Sequence, residues 1–375
     1  MKVYLDNNAT APIRPEVIDV MSKTMREVGN ASSIHNFGRM ARRSIESART
    51  QIGALAGVEA EQVIFTSGAT EANNMILNSY AGSNIMISAI EHPSVMMAAP
   101  DAHIIPVSKD GVLDMKIYEK MLDQHAPGLV SVMMVNNETG VIQPVKDIAD
   151  MAREYGADTH SDAVQAAGRI KIDFSALGID YMSLSAHKFG GPHGIGALIY
   201  RKGKLPKAFL KGGGQERRVR AGTENIAGIA GFAEAARLAR ENMEAFQKLG
   251  ALRDKLENGI QEISPAATIY SQNAKRVANT SCFGLPGIPA ETLLMNLDLG
   301  GIAVSSGSAC SSGVVKSSPV IRAMGASDKQ AASTIRISLS WQSTQEDIDH
   351  FLKIWSNIVE RLKDKIHPVN QEQNA

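Results

Sequence analysis

Ser183-Leu184-Ser185-Ala186-His187-Lys188-Phe189-Gly190-Gly191-Pro192, continued by His193-Gly194-Ile195-Gly196, is the stretch on which the reading of this chain turns. An apolar strand, Tyr181 to Leu184, runs into Ser, His and Lys and then into a glycine-rich turn. A lysine where a buried strand ends loses solvent, and its amine becomes a nucleophile that forms Schiff bases with carbonyl compounds. Ser185 and His187 beside it suit an anion. The arrangement points to a lysine holding an aldehyde cofactor that also carries a phosphate. The competing reading is a solvated lysine in a surface turn.

The surroundings of that stretch repeat one rhythm. Val63-Ile64-Phe65-Thr66, Asn84 to Ala89, Leu129 to Val135, Ala157 to His160, Tyr181 to Leu184 and Gly196 to Tyr200 read as strands. Helical patterns such as Glu71 to Tyr80 and Val145 to Tyr155 lie between them. The alternation predicts an α/β fold with a mostly parallel sheet covered by helices. In such sheets ligands sit at the carboxyl ends of strands. Gly222 to Lys255 reads as one long helix or two. Thr268 to Tyr270, Ala278 to Phe283, Ala303 to Ser305 and Thr334 to Ser338 read as strands of a second unit, and Gln345 to Ile366 as an amphipathic helix.

Composition narrows the function classes. The 375 residues are 44% hydrophobic, enough for a large core or for one large and one small domain. Lys+Arg and Asp+Glu both number 39, so the balanced charge argues against bulk binding to nucleic acid or to an anionic membrane. No stretch approaches the roughly 20 apolar residues of a spanning helix, and the opening Met1-Lys2-Val3-Tyr4-Leu5-Asp6 does not read as a signal peptide. Two cysteines, Cys282 and Cys310, make neither a disulfide framework nor a thiolate zinc site. The expected location is the cytoplasm.

Polar residues gather where the strands end. Thr66-Ser67-Gly68-Ala69-Thr70-Glu71 opens a helix and reads either as a phosphate cradle or as an ordinary cap. Glu91-His92-Pro93-Ser94 offers a histidine that stacks on a ring and moves protons, or a satisfied surface histidine. Asn136-Asn137-Glu138-Thr139-Gly140 supplies paired amides for a ligand, or a tight turn. In His160-Ser161-Asp162-Ala163-Val164-Gln165, a buried carboxylate needs a partner. A pyridinium nitrogen is one such partner, and a helix N-cap role is the alternative. Gly212 to Thr223 combines four glycines, three arginines and a threonine, for an anion, a partner subunit or solvent. Arg336, in the apolar strand Thr334-Ile335-Arg336-Ile337-Ser338, wants a planar carboxylate from a substrate or from a structural Asp or Glu. Cys310 lies in a run of small residues, Ser305 to Gly313, that suits an exposed exchange or transfer thiol, whereas Cys282 alternates like a packed strand residue.

Taken together, from Tyr4-Leu5-Asp6-Asn7-Asn8-Ala9-Thr10 to the strand around Arg336 and the helix after it, these motifs resemble the cysteine desulfurases. The likeness is to the NifS/IscS-like branch of the class-V aminotransferases, which are fold-type I, pyridoxal-phosphate-dependent enzymes. The resemblance implies a large domain with a mostly parallel seven-stranded sheet over residues 16–250. Residues 1–15 and 251–375 would then form a small α+β domain carrying the cysteine loop. It implies that Lys188 carries the cofactor as a Schiff base, that His92 stacks on the ring and helps move protons, and that Asp162 pairs with the pyridine nitrogen. Gln165 would bond the phenolic oxygen, with Asn137 near it and near the substrate. Ala69, Thr70, Ser185 and His187 would hold the phosphate, and Thr223 would reach the phosphate of the neighbouring subunit in a homodimer. Arg336 would grip the substrate carboxylate. Cys310 would attack the substrate sulfur and carry the persulfide, and it could transiently ligate an iron–sulfur cluster. No dedicated metal site is implied.

The implied reaction converts L-cysteine to L-alanine and an enzyme persulfide. A sulfur acceptor, such as an iron–sulfur scaffold or a tRNA-thiolation relay, would follow. A selenocysteine lyase or another fold-type I lyase or aminotransferase is the alternative, and Cys310 speaks against it. Asn8 stands where the family commonly has alanine, and Ala11 where it has threonine. Val314-Val315-Lys316-Ser317-Ser318 replaces a more usual acidic, proline-containing run, and the tail from His367 to Ala375 does not resemble the scaffold-binding tail of housekeeping members. The docking partner is therefore open.

Overall fold

The computed structural model describes residues 2–307 and 317–366. Cys310 and the tail residues from His367 onward lie outside them. Thirteen strands are numbered in chain order. After β1 (Val3–Tyr4) come β2 (Val63–Thr66), β3 (Ile85–Ser88), β4 (His103–Ile105), β5 (Leu129–Ser131), β6 (Asp158–Asp162), β7 (Tyr181–Ser185) and β8 (Gly196–Tyr200). The later strands are β9 (Thr268–Ile269), β10 (Thr280–Gly284), β11 (Ile302–Ala303), β12 (Ser305–Ser306) and β13 (Thr334–Ser338).

Seven strands form the large sheet in the order β2-β8-β7-β6-β5-β3-β4. Only β8 runs against the rest: it pairs antiparallel with both β2 and β7, and the other pairings are parallel. Both faces are covered, which is why most of these strands read as near-continuous apolar runs; β6, Asp158-Thr159-His160-Ser161-Asp162, is the polar exception. Alternate residues serve opposite faces. Ala197 and Ile199 join the apolar cluster formed with Ile45, Ile52, Ile229 and Phe232. Leu198 and Tyr200 join the cluster of Ala72, Met75 and Ile76. The expected mostly parallel sheet is present.

A second unit holds the antiparallel sheet β12-β13-β10-β9, with the two-stranded pair β1-β11 beside it. Its core gathers Val3, Leu5, Ile260, Phe283, Ile335, Phe351 and Trp355. Phe283 meets Trp355 edge to face, with ring centroids 5.3 Å apart.

Several element boundaries differ from the sequence reading. The expected strand Ala303 to Ser305 breaks at Val304, because the chain changes sheets there: Ala303 pairs with Tyr4, and Ser305 with Arg336. The stretch Gly222 to Lys255 contributes to three helices, Ile226–Glu241, Met243–Gln247 and Leu249–Ile263. The first stops where the Asn242 side chain and backbone N–H both donate to the Leu238 carbonyl. β5 ends at Ser131, yet Val132 and Met134 keep donating to the His160 and Asp162 carbonyls, at 3.0 and 2.9 Å. The C-terminal helix runs over Gln345–Leu362, and a 3-10 turn, Lys363–Lys365, completes the expected span.

Inside the sheet, His160 bridges three neighbouring strands. Its Nδ1 lies 2.8 Å from Ser131 Oγ on β5, and its Nε2 3.0 Å from Ser183 Oγ on β7. Burial lowers its pKa from 6.5 to about 4. Between those two values the unfolded chain binds a proton that the folded chain refuses, so stability falls as pH drops through this window. We expect this residue to remove about 2 kcal/mol of stability between pH 7 and pH 4.5. Urea denaturation at both pH values checks it: His160→Asn should shrink the pH-dependent loss by that amount, whatever the substitution costs at pH 7.

Candidate active site

Four parallel strands of the large sheet, together with β2, deliver their carboxyl ends to one edge. Beyond those ends lies a cavity of about 460 Å³. Ala69, Thr70, His92, Asn137, Asp162, Gln165, Ser185, His187, Lys188 and Arg336 all line it. Of the candidate site residues within the described chain, only Thr223 does not line this cavity, and it is exposed.

Lys188 sits in a single 3-10 turn, Ala186–Lys188, directly after β7. Its Nζ donates to the carbonyls of Asn8 and Ala9 at 2.8 and 2.9 Å. Asp162, the last residue of β6, is buried. One carboxylate oxygen accepts from Val164 N at 3.0 Å, and the other from Asn73 Nδ2 at 2.8 Å. The helix N-cap considered for Asp162 is not realised: a turn follows it, and the next helix starts at Phe174.

The Asn73 amide also donates to Ser94 Oγ at 2.8 Å. Ser94 Oγ lies 2.8 Å from His92 Nδ1, which accepts from Ser94 N as well. A ring nitrogen that accepts a backbone N–H carries no proton, so these partners put the His92 proton on Nε2. His92, Ser94, Asn73 and Asp162 form one continuous polar chain along the cavity wall. Beneath it, Glu91 is buried with Oε1 accepting from Ser88 Oγ at 2.5 Å and Met133 N at 2.7 Å. Burial first, and the Asp162 charge with it, push its carboxyl up to about 8, so it is protonated at neutral pH.

Gly68 opens the helix Ala69–Ser79 with no side-chain cap, and Ser67 N donates to Glu71 Oε2 at 2.6 Å. That uncapped helix start borders the cavity and suits a phosphate. His187, beside it, stacks on His193 and reaches Thr10 Oγ1 at 3.2 Å. Burial and then the Lys188 charge lower its pKa to about 4.

Arg336 on β13 comes from the second unit. Its guanidinium donates to Asp6 Oδ1 at 2.6 Å and to the Asn137 carbonyl at 3.1 Å, while Nε has no hydrogen-bond partner among the described residues. The structural carboxylate considered for it is Asp6. In the turn, Asn136 accepts from Glu138 N, Thr139 N and Thr139 Oγ1, which leaves Asn137 to face the cavity. Cys282, on β10, is fully buried, and burial pushes its thiol well above the ordinary range. It is unsuited to nucleophilic work, and Cys310 is the only other cysteine in the sequence.

Around the arginine-rich loop, Glu216, Arg217 and Arg218 take φ values of 41°, 56° and 67°. Three consecutive left-handed non-glycine residues persist only where their surroundings over-determine them. Here the buried Glu216 carboxylate accepts from both Arg49 nitrogens, at 2.7 and 2.5 Å, and from Phe65 N at 2.9 Å. Asn8, Asn73, Glu91, Asp6 and Glu138 were not among the residues singled out from sequence as ligands. Isolated asparagines and acids carry no periodic signal, although Asp6, Asn8, Glu91 and Glu138 all fall inside quoted motifs.

The chain is similar to known proteins over nearly its whole length. The family Aminotransferase class-V matches residues 3–351. A cysteine desulfurase of Sinorhizobium fredii (strain NBRC 101917 / NGR234) is 41% identical, over 96% of this chain and 97% of its own. Cysteine desulfurase IscS of Dictyoglomus turgidum is 38% identical, over 99% of this chain and 98% of its own. The crystal structure of a NifS-like protein from Rickettsia africae ESF-5 superposes with a TM-score of 0.90 at 37% identity, covering 96% of this chain and all of that one.

The Asp162 wall gives a direct test. Asn73→Asp would set a second carboxylate where the amide now donates, and two carboxylates that close cannot both ionise cheaply. The new acid would bind its proton more tightly folded than unfolded, so the penalty shrinks as pH falls. We expect a loss of about 2 kcal/mol at pH 8 and distinctly less at pH 5, read by denaturant unfolding.

Proposed function

The chain belongs to the class-V aminotransferases, among their cysteine desulfurases, and from that membership we propose how its own residues divide the work on L-cysteine. The enzyme depends on pyridoxal 5′-phosphate and is a desulfurase. The cavity residues fit that group. Lys188 is the amine at the mouth of β7, Asp162 is a buried carboxylate with room for a cationic ring nitrogen, and the uncapped helix start at Gly68 suits the phosphate. Gln165 donates to the Asn8 carbonyl at 3.0 Å, and its buried Oε1 lacks a protein partner, which suits a phenolic group.

Bound there, pyridoxal phosphate supplies an electron sink for charge developing at the substrate α-carbon. The remaining tasks fall to the protein. Lys188 would hold the cofactor through its amine, at the end of β7 beside the substrate's place. Asp162 stabilises positive charge on the ring, and Asn73 keeps that carboxylate oriented. His92, protonated at Nε2, moves a proton at the substrate. Arg336 turns from Asp6 to the substrate carboxylate. The Cys310 thiolate bonds to the substrate sulfur as the carbon–sulfur bond breaks, giving an enzyme persulfide, and the carbon skeleton leaves as L-alanine.

One observation carries this reading: Gly307 lines the same cavity as Lys188 and Arg336, and Cys310 follows it by three residues. A chain of that length spans at most about 11 Å, so the Cys310 backbone stays within that distance of the cavity wall in any conformation. We further take residues 16–250 as the cofactor-holding domain and residues 1–15 with 251–375 as the second. The two separate apolar clusters around Phe232 and Trp355 support this.

A homodimer is the proposed assembly. Thr223, exposed at the end of the strained arginine loop, would then serve a neighbouring subunit's phosphate. The acceptor is taken to be a protein, an iron–sulfur scaffold or a tRNA-thiolation relay, and the compartment the cytoplasm. Among the described residues no helix is long and apolar enough to cross a membrane.

Cys310→Ser is expected to keep the visible cofactor band and its change on adding L-cysteine, but to form no persulfide and to release no sulfide under reductant. Sulfide release at the wild-type rate would refute Cys310 as the acceptor. Lys188→Ala is expected to lower alanine production by at least about a hundredfold, with any retained cofactor released by denaturant. Turnover near the wild-type rate would exclude the assigned amine.

A further inference from the structure

Glu138 is a buried carboxylate with no place in the chemistry described so far. Its backbone is fixed: Asn136 Oδ1 accepts from Glu138 N at 3.0 Å and Thr139 N at 2.9 Å, and Asn136 Nδ2 donates to the Ile90 carbonyl at 3.1 Å. The side chain crosses to the second unit, where Ser318 Oγ donates to Oε2 at 2.5 Å. That hydroxyl also accepts from Ile321 N at 3.0 Å and so caps the helix Pro319–Ala323. The same Oε2 lies against Gly307: a side chain there would bring its first carbon to 2.0 Å from it.

Gly307 and Ser318 bracket the stretch that contains Cys310. Both ends therefore converge on one carboxylate oxygen held by the turn after β5, whose neighbouring Asn137 carbonyl accepts from Arg336. Burial raises the Glu138 pKa against the opposing pull of Ser318, Arg336 and His92. A buried carboxyl is costly unless its bonds repay it, and an apolar side chain would fill the same space at lower cost.

We infer that Glu138 is a positioning residue, which fixes Gly307 and Ser318 and thereby sets where the Cys310 thiol can reach relative to the substrate. The inference rests on the desulfurase reading, with Cys310 as sulfur acceptor. It assigns Glu138 to delivery of the thiol and not to the steps at Lys188.

The test compares Glu138→Ala, Ser318→Ala, Gly307→Ala and the Glu138→Ala/Gly307→Ala pair, all as holoenzymes. Rapid mixing with L-cysteine gives two rates, the change in the cofactor band and persulfide formation on Cys310 by mass. Each single variant is expected to slow persulfide formation by about tenfold, the scale of one hydrogen bond to a charged group, with the cofactor band responding within about twofold of wild type. Glu138→Gln, whose amide oxygen still accepts the Ser318 hydrogen, should lose less than Glu138→Ala. The pair should lose clearly less than the product of the two single losses, because the carboxylate that most closely opposes a side chain at 307 is gone, although Ser318 Cβ still lies 3.0 Å from that position.

Equal slowing of both rates, or multiplied losses in the pair, would overturn the inference. Iodoacetamide labelling of Cys310, with buried Cys282 as the internal control, reads the anchoring without turnover. Glu138→Ala and Ser318→Ala should each change the labelling rate by at least about threefold. Unchanged labelling would also overturn the inference. A wild type that forms no persulfide would instead defeat the desulfurase reading, and labelling would still judge the anchor.

Discussion

Asn8 ties the catalytic edge of the molecule together. Its carbonyl accepts from Lys188 Nζ and from Gln165 Nε2. Its side chain accepts from Arg169 at 2.6 Å and from Asn279 at 3.2 Å, and donates to the Asn137 carbonyl and to Thr280 Oγ1, both at 3.0 Å. Its own N–H donates to Ser338 Oγ at 2.8 Å. These groups come from the large sheet and from the small one, so a single residue near the N-terminus fixes how the two are joined at the cavity. An alanine, the residue expected here from the family pattern, could not make the side-chain half of this network. Because Arg169 is fully buried, with burial pushing its guanidinium down to about 9, its bond to Asn8 matters more than an exposed one would.

The large sheet was legible because its cause is local. Strands covered on both faces are mostly apolar, as β2, β3 and β8 are, and a helix returns the chain to begin the next parallel strand, so pattern and topology largely imply one another; β6 is polar throughout, and its buried side chains are instead hydrogen-bonded. The carboxyl-end rule then turned that topology into a site. Thr70, His92, Asn137, Asp162 and Lys188 were read from five separate segments, and one cavity receives all of them.

What escaped the sequence was pairing across distance. Val304 looks like the middle of a strand because its neighbours are apolar or small, yet the chain changes sheets there to satisfy partners near residues 4 and 336. Asp6 as the partner of Arg336, and Ser318 as the partner of Glu138, are contacts between residues hundreds of positions apart. The polar chain from His92 to Asp162 was missed for the same reason. Its two ends were recognised, but the links, Ser94 and Asn73, are residues whose meaning depends on what folds against them.

These placements separate two mechanical requirements that the chemistry imposes together. The ring and the reacting carbon need fixed electrostatics, and their neighbours are mounted on the ends of a sheet packed on both faces, where side chains lose little further freedom. On the proposed reading the Cys310 thiol meets the substrate and then hands its sulfur on, a task that such a mounting would hinder. Its chain segment instead leaves from β12, in the small antiparallel sheet, and its far end starts the helix Pro319–Ala323. Cys282 illustrates the contrast. It sits on β10 with its thiol shut away and its pKa raised by burial, so a cysteine on the rigid sheet gains order and loses reactivity. The residues that flank the segment of the proposed thiol, Gly307 and Ser318, are instead both held against Glu138.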